Sequence, residues 1–197
     1  MMVKQQIPGS IFKTVVAAAA IDHELDNPSR TFNCNVTIKG TPDPNYQHGL
    51  LSFTESFARS CNNTFGTLAK EIKEIDENAL ETYAKKLSLL GPVTWEGDFY
   101  HFDHFKQLQD EETGRVFLGE EAKSDDNFVA MSAIGQHEVR VTPIAVANMM
   151  STIAKGGENE MVRVAYGVEY KNGTSMLSFP KKQLQEDSIS PYTAMKL

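Results

Sequence analysis

Lys13 stands at the head of Thr14-Val15-Val16-Ala17-Ala18-Ala19-Ala20-Ile21, a run with no charge and no polar face. Read as a helix, it is apolar all round, and such a helix has to be enclosed by other elements rather than laid on a surface. The chain must therefore build further helices around this one, and the residues before it are drawn to the edge of the core. A lysine fixed at that edge needs an explanation that a surface lysine does not, because an ammonium is rarely buried without partners. Ser10 precedes it at i−3, after Pro8-Gly9, so hydroxyl and amine share one helix face.

A serine hydroxyl is a poor nucleophile until a base takes its proton. Burying the lysine, or setting it beside other cations, lowers its pKa towards the working range of a base. The helix start adds free N–H groups and partial positive charge near Ser10, which suits a developing oxyanion. Ser-x-x-Lys also arises as a serine cap with a solvated lysine; the apolar helix after Lys13 argues against that here. Further on, Ser60-Cys61-Asn62 brings a second hydroxyl and an amide. On their own these are ordinary turn residues between helices; beside Ser10 and Lys13 they become candidate site residues.

With 197 residues, 41% of them hydrophobic and 23% charged, the chain suits one globular domain. A net charge of −7 and the lack of a basic run exclude a nucleic-acid-binding face. No apolar stretch approaches the roughly 18 residues that span a bilayer, and no signal-peptide pattern is present. Cys34 and Cys61 are too few for a disulfide scaffold. They would pair only in an oxidising compartment, and their separation is not set by the sequence, so a bridge is the lesser expectation and Cys61 is read as pointing into the core. His101 and His104, at i and i+3 in an aromatic stretch, are not a recognised ligand set; no metal and no cofactor are expected.

Gly9-Ser10 opens a helix expected to reach about His23, ended by Asn27-Pro28-Ser29. Thr31 to Lys39 alternates weakly and is read as a short strand, and Gly40 to Asn45 as a loop. Ser52 with Glu55 makes a capping box for a helix reaching about Arg59. Helices are expected over Thr64 to Ile72 and Glu77 to Leu89, the latter stopped by Gly91-Pro92. Val93 to Asp126 reads as a long polar loop with one short helix near His104 to Asp110. Thr142-Pro143 starts a helix through Ala154. Met161 to Val168 and Thr174 to Phe179 form a hairpin around Asn172-Gly173, and Ser190-Pro191 begins a last helix.

Three segments carry a resemblance. They are Ile7-Pro8-Gly9-Ser10-Ile11-Phe12-Lys13, then His48-Gly49 through Ser60-Cys61-Asn62-Asn63-Thr64-Phe65, then Ala133-Ile134-Gly135-Gln136-His137-Glu138-Val139 with Val141-Thr142-Pro143. In this order they resemble the class B penicillin-binding proteins, monofunctional D,D-transpeptidases. Where Ile11 and His137 stand, the family more often has Thr and Gly. The resemblance implies that residues 1–197 form a partial transpeptidase domain. That part is mainly α with a small β-hairpin, the helical subdomain of a penicillin-binding/β-lactamase-like fold with most of the sheet missing.

The resemblance also implies roles. Ser10 would attack the penultimate D-Ala carbonyl of a peptidoglycan stem peptide ending in D-Ala-D-Ala, and β-lactams would acylate the same serine. Lys13 would be the base, Ser60 a proton relay, and Asn62 the holder of the substrate amide that also orients Lys13. The family's third motif, Lys-Thr/Ser-Gly, is not found; Lys171-Asn172-Gly173-Thr174 is turn chemistry on the expected hairpin. Without that motif the fragment is expected to fold but not to catalyse, because losing half an oxyanion hole costs about 10² to 10³ in rate. An uncovered apolar face could pair two fragments as a dimer. The parent protein would work at the extracytoplasmic face of a bacterial membrane, through an N-terminal anchor absent here. Two other readings remain: a β-lactam-hydrolysing or β-lactam-sensing relative, and a non-catalytic helical interaction module.

Overall fold

The computed structural model describes residues 1–42, 44, 47–99 and 101–197. Asp43 and Asn45 of the expected loop, and Tyr100 of the aromatic stretch, lie outside the described residues. A single 3-10 turn, Gly9–Phe12, carries Ser10 and runs without a break into α1 (Lys13–Asp22). Every residue of α1 from Lys13 to Ile21 is buried, as a run with no polar face requires.

The elements that enclose it follow in order. β1 (Phe32–Asn33) pairs antiparallel with β2 (Leu50–Leu51). α2 (Phe53–Ala58) starts at the expected capping box: Glu55 N–H donates to Ser52 Oγ at 3.4 Å, and Ser52 N–H donates to Glu55 Oε2 at 2.9 Å. α3 (Asn62–Ile75) lays Phe65, Leu68, Ala69 and Ile72 against α1. α4 (Ala79–Lys86) does the same with Leu80, Tyr83 and Ala84. β3 (Glu96–Phe99) and β4 (Phe102–Lys106) make a hairpin. α5 (Glu120–Ser124) leads into α6 (Asp126–Ala133), whose cap is Asp125, its carboxylate accepting from the N–H groups of Asn127 and Phe128. α7 (Pro143–Ala154) has Thr142 as N-cap and Pro at its first position, as expected. β5 (Gly167–Glu169) and β6 (Ser175–Ser178) flank the Asn172-Gly173 turn, and α8 (Pro191–Lys196) closes against α1 and α7.

The chain is thus mainly helical with small antiparallel strand pairs, and differs from the expectation in four places. Two helices were not expected: α5 falls inside the stretch read as a loop and α6 follows it, held by the Asp125 cap and by packing on α3. The strand expected over Thr31 to Lys39 shrinks to Phe32–Asn33, because β2 offers only Leu50–Leu51 as partner. The stretch expected as a loop with a helix near His104 to Asp110 is instead the β3–β4 hairpin. Its cause lies far along the chain: Trp95 is buried edge-on to Phe179 at 5.0 Å, and its ring N–H donates to the Pro180 carbonyl at 2.9 Å. An ion pair of Glu96 with Lys106 at 3.1 Å closes the open end. The hairpin around Gly173 forms but is shorter than expected, with Met161 to Tyr166 outside its strands.

What positions Ser10 is a seam between the N-terminal segment and residues 135–141. Gln6 and Val141 exchange backbone hydrogen bonds at 2.8 and 3.0 Å, and Gly9 N–H donates to the Gly135 carbonyl at 3.0 Å. Gly135 itself has φ +70°, and a Cβ there would run into the Gly9 carbonyl oxygen. That close approach admits only glycine.

Candidate active site

Lys13 is the first residue of α1 and is 1% exposed, while Ser10, on the 3-10 turn before it, is exposed. The lysine's aliphatic stem fills the core edge and its amine meets a ring of oxygens. Nζ lies 3.3 Å from Ser10 Oγ, 2.8 Å from Ser60 Oγ, 2.6 Å from the Ser60 carbonyl and 2.6 Å from Asn62 Oδ1. The Phe65 ring sits 5.9 Å away on the apolar side. The structure therefore brings together all four candidate residues, Ser10, Lys13, Ser60 and Asn62.

The proton count in this cluster is informative. The Ser60 carbonyl and Asn62 Oδ1 can only accept, whereas each serine hydroxyl can accept or donate. An ammonium has three protons for four oxygens. A neutral amine has two, which go to the two carbonyl oxygens, and its lone pair then faces a hydroxyl. Burial shifts the balance towards that second state, drawing the Lys13 pKa down from 10.5 to about 8, so a minor share of neutral amine is present at neutral pH. A base poised near neutrality, with its lone pair turned to a serine hydroxyl, is what nucleophile activation needs.

Ser60 reaches this position through a rare backbone state. It has φ +56°, just past the end of α2. Its N–H donates to the Phe57 carbonyl at 3.0 Å and the Cys61 N–H to the Ser56 carbonyl at 2.9 Å, the paired bonds of a Schellman turn. Glycine normally takes that place; a serine there costs about 1–2 kcal/mol. The left-handed turn is what aims the Ser60 carbonyl at Lys13, a contact that residue type and spacing do not signal. Ser60→Gly and Ser60→Ala both remove the hydroxyl, but only the first relieves the strain. Urea unfolding is expected to find S60G more stable than S60A by about 1 kcal/mol; equal stabilities would mean the turn carries no strain.

Cys61, between Ser60 and Asn62, is bonded to Cys34, with their Cα atoms 5.8 Å apart. The lesser expectation is the one that forms: β1–β2 pairing carries Cys34 to the start of α3. Cys61 does point into the core, at 3% exposure. His137, where a glycine was the family's commoner choice, still adopts φ +60°, and its ring stacks on Phe128 at 4.4 Å. His101 and His104 lie on or beside the β3–β4 hairpin, and among the described residues no group of three or more His, Cys, Asp or Glu is placed to hold a metal.

The profile of the penicillin-binding protein transpeptidase domain matches residues 1–197. The chain belongs to this family. Peptidoglycan D,D-transpeptidase PbpA of Mycobacterium tuberculosis is 24% identical over 96% of this chain and 37% of its own length. The crystal structure of PBPA from M. tuberculosis superposes with a TM-score of 0.74 at 24% identity, covering 98% of this chain and 41% of that one. An imipenem acyl-enzyme complex of penicillin-binding protein A from the same organism gives 0.73 at 22% identity, with 98% and 42% covered. Penicillin-binding protein 3 of M. tuberculosis, complexed with aztreonam, gives 0.71 at 20% identity, with 98% and 40% covered. The helical layers around α1 are therefore a penicillin-binding transpeptidase fold, and the chain spans less than half the length of these relatives. Among the described residues no helix is long and apolar enough to cross a membrane.

Proposed function

We propose that this chain carries the acylation machinery of a D,D-transpeptidase that cross-links peptidoglycan stem peptides. The observation that carries the reading is the exposed Ser10 Oγ lying 3.3 Å from the amine of a lysine that is 1% exposed. Lys13 Nζ takes the Ser10 proton as Oγ attacks the penultimate D-Ala carbonyl carbon. The tetrahedral intermediate collapses, the peptide C–N bond breaks, and the proton held by Lys13 passes through Ser60 Oγ to the departing D-Ala nitrogen. An amine from a neighbouring stem then takes the acyl group and regenerates Ser10. Asn62 fixes Lys13 through Oδ1 and offers its amide to the substrate backbone. A β-lactam enters the same path, its ring C–N bond breaking in place of the peptide bond.

Acyl transfer is favoured over hydrolysis by the chemistry at the amine. The groups that touch Lys13 are two serines and an asparagine, and among the described residues none is a carboxylate that would activate a deacylating water. The reading places the parent protein at the outer face of a bacterial membrane. The 197 residues contain no Lys-Thr/Ser-Gly, so acylation by them alone is slow, by about 10² to 10³ if one oxyanion donor is lacking. Incubation with a labelled penicillin, read by intact mass, tests this. A chain extended to include that motif is expected to gain one adduct, lost in Ser10→Ala. An equal adduct on the 197 residues overturns the dependence on the third motif, and no adduct on either chain overturns the reading.

A further inference from the structure

We propose that the Cys34–Cys61 disulfide is a positioning element of the Lys13 site, holding the Ser60 carbonyl and Asn62 against the amine. The inference rests on the acylation reading for its consequence, but its geometry stands by itself. Both chain neighbours of Cys61 touch Lys13 Nζ, Ser60 through its carbonyl at 2.6 Å and Asn62 through Oδ1 at 2.6 Å. The residue between them is the one covalently tied elsewhere in the fold.

The junction is also held by the two hydrogen bonds of the Schellman turn and by Thr64 donating to Ser56, but the bridge is its one covalent tie. Cys61 occupies the N-cap of α3 but gives its first turn no side-chain hydrogen bond. The preceding residue is in a left-handed conformation that a serine leaves readily. The bridge supplies the missing anchor from the other side. Cys34 is 1% exposed, and its N–H donates to the Gly49 carbonyl at 2.8 Å, which locks it to the β1–β2 pair. Around its sulfur stand two fully buried hydroxyls, Ser56 of α2 at 3.8 Å and Thr64 of α3 at 3.5 Å, and Thr64 donates to Ser56 at 2.9 Å. The bridge is thus seated between the two helices whose junction presents Ser60 and Asn62.

Releasing it lets the junction relax away from Lys13. Among the described residues the polar groups facing the amine from α2, α3 and the 3-10 turn are all neutral, so its acidity is set by burial alone. Opening the ring of oxygens admits water, and the amine returns towards its ordinary, higher pKa. At neutral pH each unit of upward movement leaves about a tenfold smaller fraction of neutral, basic lysine.

The test is a titration of Lys13 by ¹³C NMR of its Cε in lysine-labelled full chain, for wild type, Cys34→Ala and the double variant Cys34→Ala/Cys61→Ala, with Lys13→Met to assign the resonance. A midpoint at least about one unit higher in both variants supports the proposal; an unchanged midpoint in folded variants overturns it. If a variant does not fold, wild type is titrated before and after reduction by a water-soluble phosphine. The phosphine is oxidised as the bridge opens to two thiols, and the same criterion applies. Acylation is read separately on the extended chain with labelled penicillin. A Ser10-dependent adduct whose rate at pH 7 falls about tenfold without the bridge joins the two readings. A shifted Lys13 midpoint with no adduct on wild type would sink the acylation reading and leave the positioning role standing.

Discussion

Lys13→Met is expected to cut acylation of Ser10 by about 10² to 10⁴, the usual worth of a positioned base. It should also remove a pH dependence of stability that wild type shows in alkaline solution. In the unfolded chain Lys13 titrates near 10.5, and in the folded protein burial brings this down to about 8. Between those values the unfolded state binds more protons than the folded one, so stability rises with pH across the window. Below pH 8 the lysine is charged in both states and the fold bears the full desolvation penalty; above 10.5 it is neutral in both and the penalty is gone. The gap corresponds to about 3 kcal/mol.

Other lysines and tyrosines titrate in the same range, so the quantity to measure is the wild-type minus Lys13→Met difference in urea unfolding. That difference should move by about 3 kcal/mol in favour of wild type from pH 7 to pH 10.5. At pH 7 the two should lie close together, because methionine avoids the penalty but leaves the Ser60 carbonyl and Asn62 Oδ1 without a donor, about 1–3 kcal/mol each. A pH-independent difference would mean that Lys13 is solvated and charged, and its role as base would fall with it.

The elements legible in the sequence are those whose signals are local. Thr142-Pro143 gives an N-cap and a first-turn proline side by side, and α7 begins there and ends at Ala154 as expected. Gly173 closes the β5–β6 hairpin as the left-handed residue, φ +82°, of a three-residue loop, and its N–H returns to the Tyr170 carbonyl, so its signal is local. The run after Lys13 forces a buried helix by having no polar side to offer. The β3–β4 hairpin was not legible because what seats it, Trp95 on Phe179, joins residues far apart in sequence. The Cys34–Cys61 bridge fails for the same reason: the Cα separation depends on the pairing of β1 with β2. At the candidate site, spacing and resemblance pointed to all four side chains now gathered around Nζ. The Ser60 carbonyl was hidden, since a main-chain contact made by a left-handed serine leaves no mark in residue type.

The same contrast between local and distant causes shapes the expected outcome of Gly135→Ala. At Gly135 an added methyl meets two obstacles: the residue has φ +70°, and the new Cβ would overlap the Gly9 carbonyl oxygen. Gly173 has φ +82° but nothing within 4 Å of a Cβ. Gly173→Ala should therefore cost only the left-handed strain, about 1–2 kcal/mol. At Gly135 the collision is with main chain on the 3-10 turn that carries Ser10, and a backbone atom cannot swing aside as a side chain does. The fold has two responses. It can keep the seam and bear the strain, losing about 3 kcal/mol or more in urea unfolding. Or it can part the Gly9–Gly135 bond and let Ser10 move off Lys13. A displacement of about 1 Å at a reacting group is enough for roughly a 10² loss in rate, so the second response keeps most of the stability and shows instead in the penicillin adduct. Measuring both quantities for both variants separates the cases. Gly135→Ala matching Gly173→Ala in stability, with acylation intact, would mean that the seam between residues 6–9 and 135–141 does not hold the nucleophile in place.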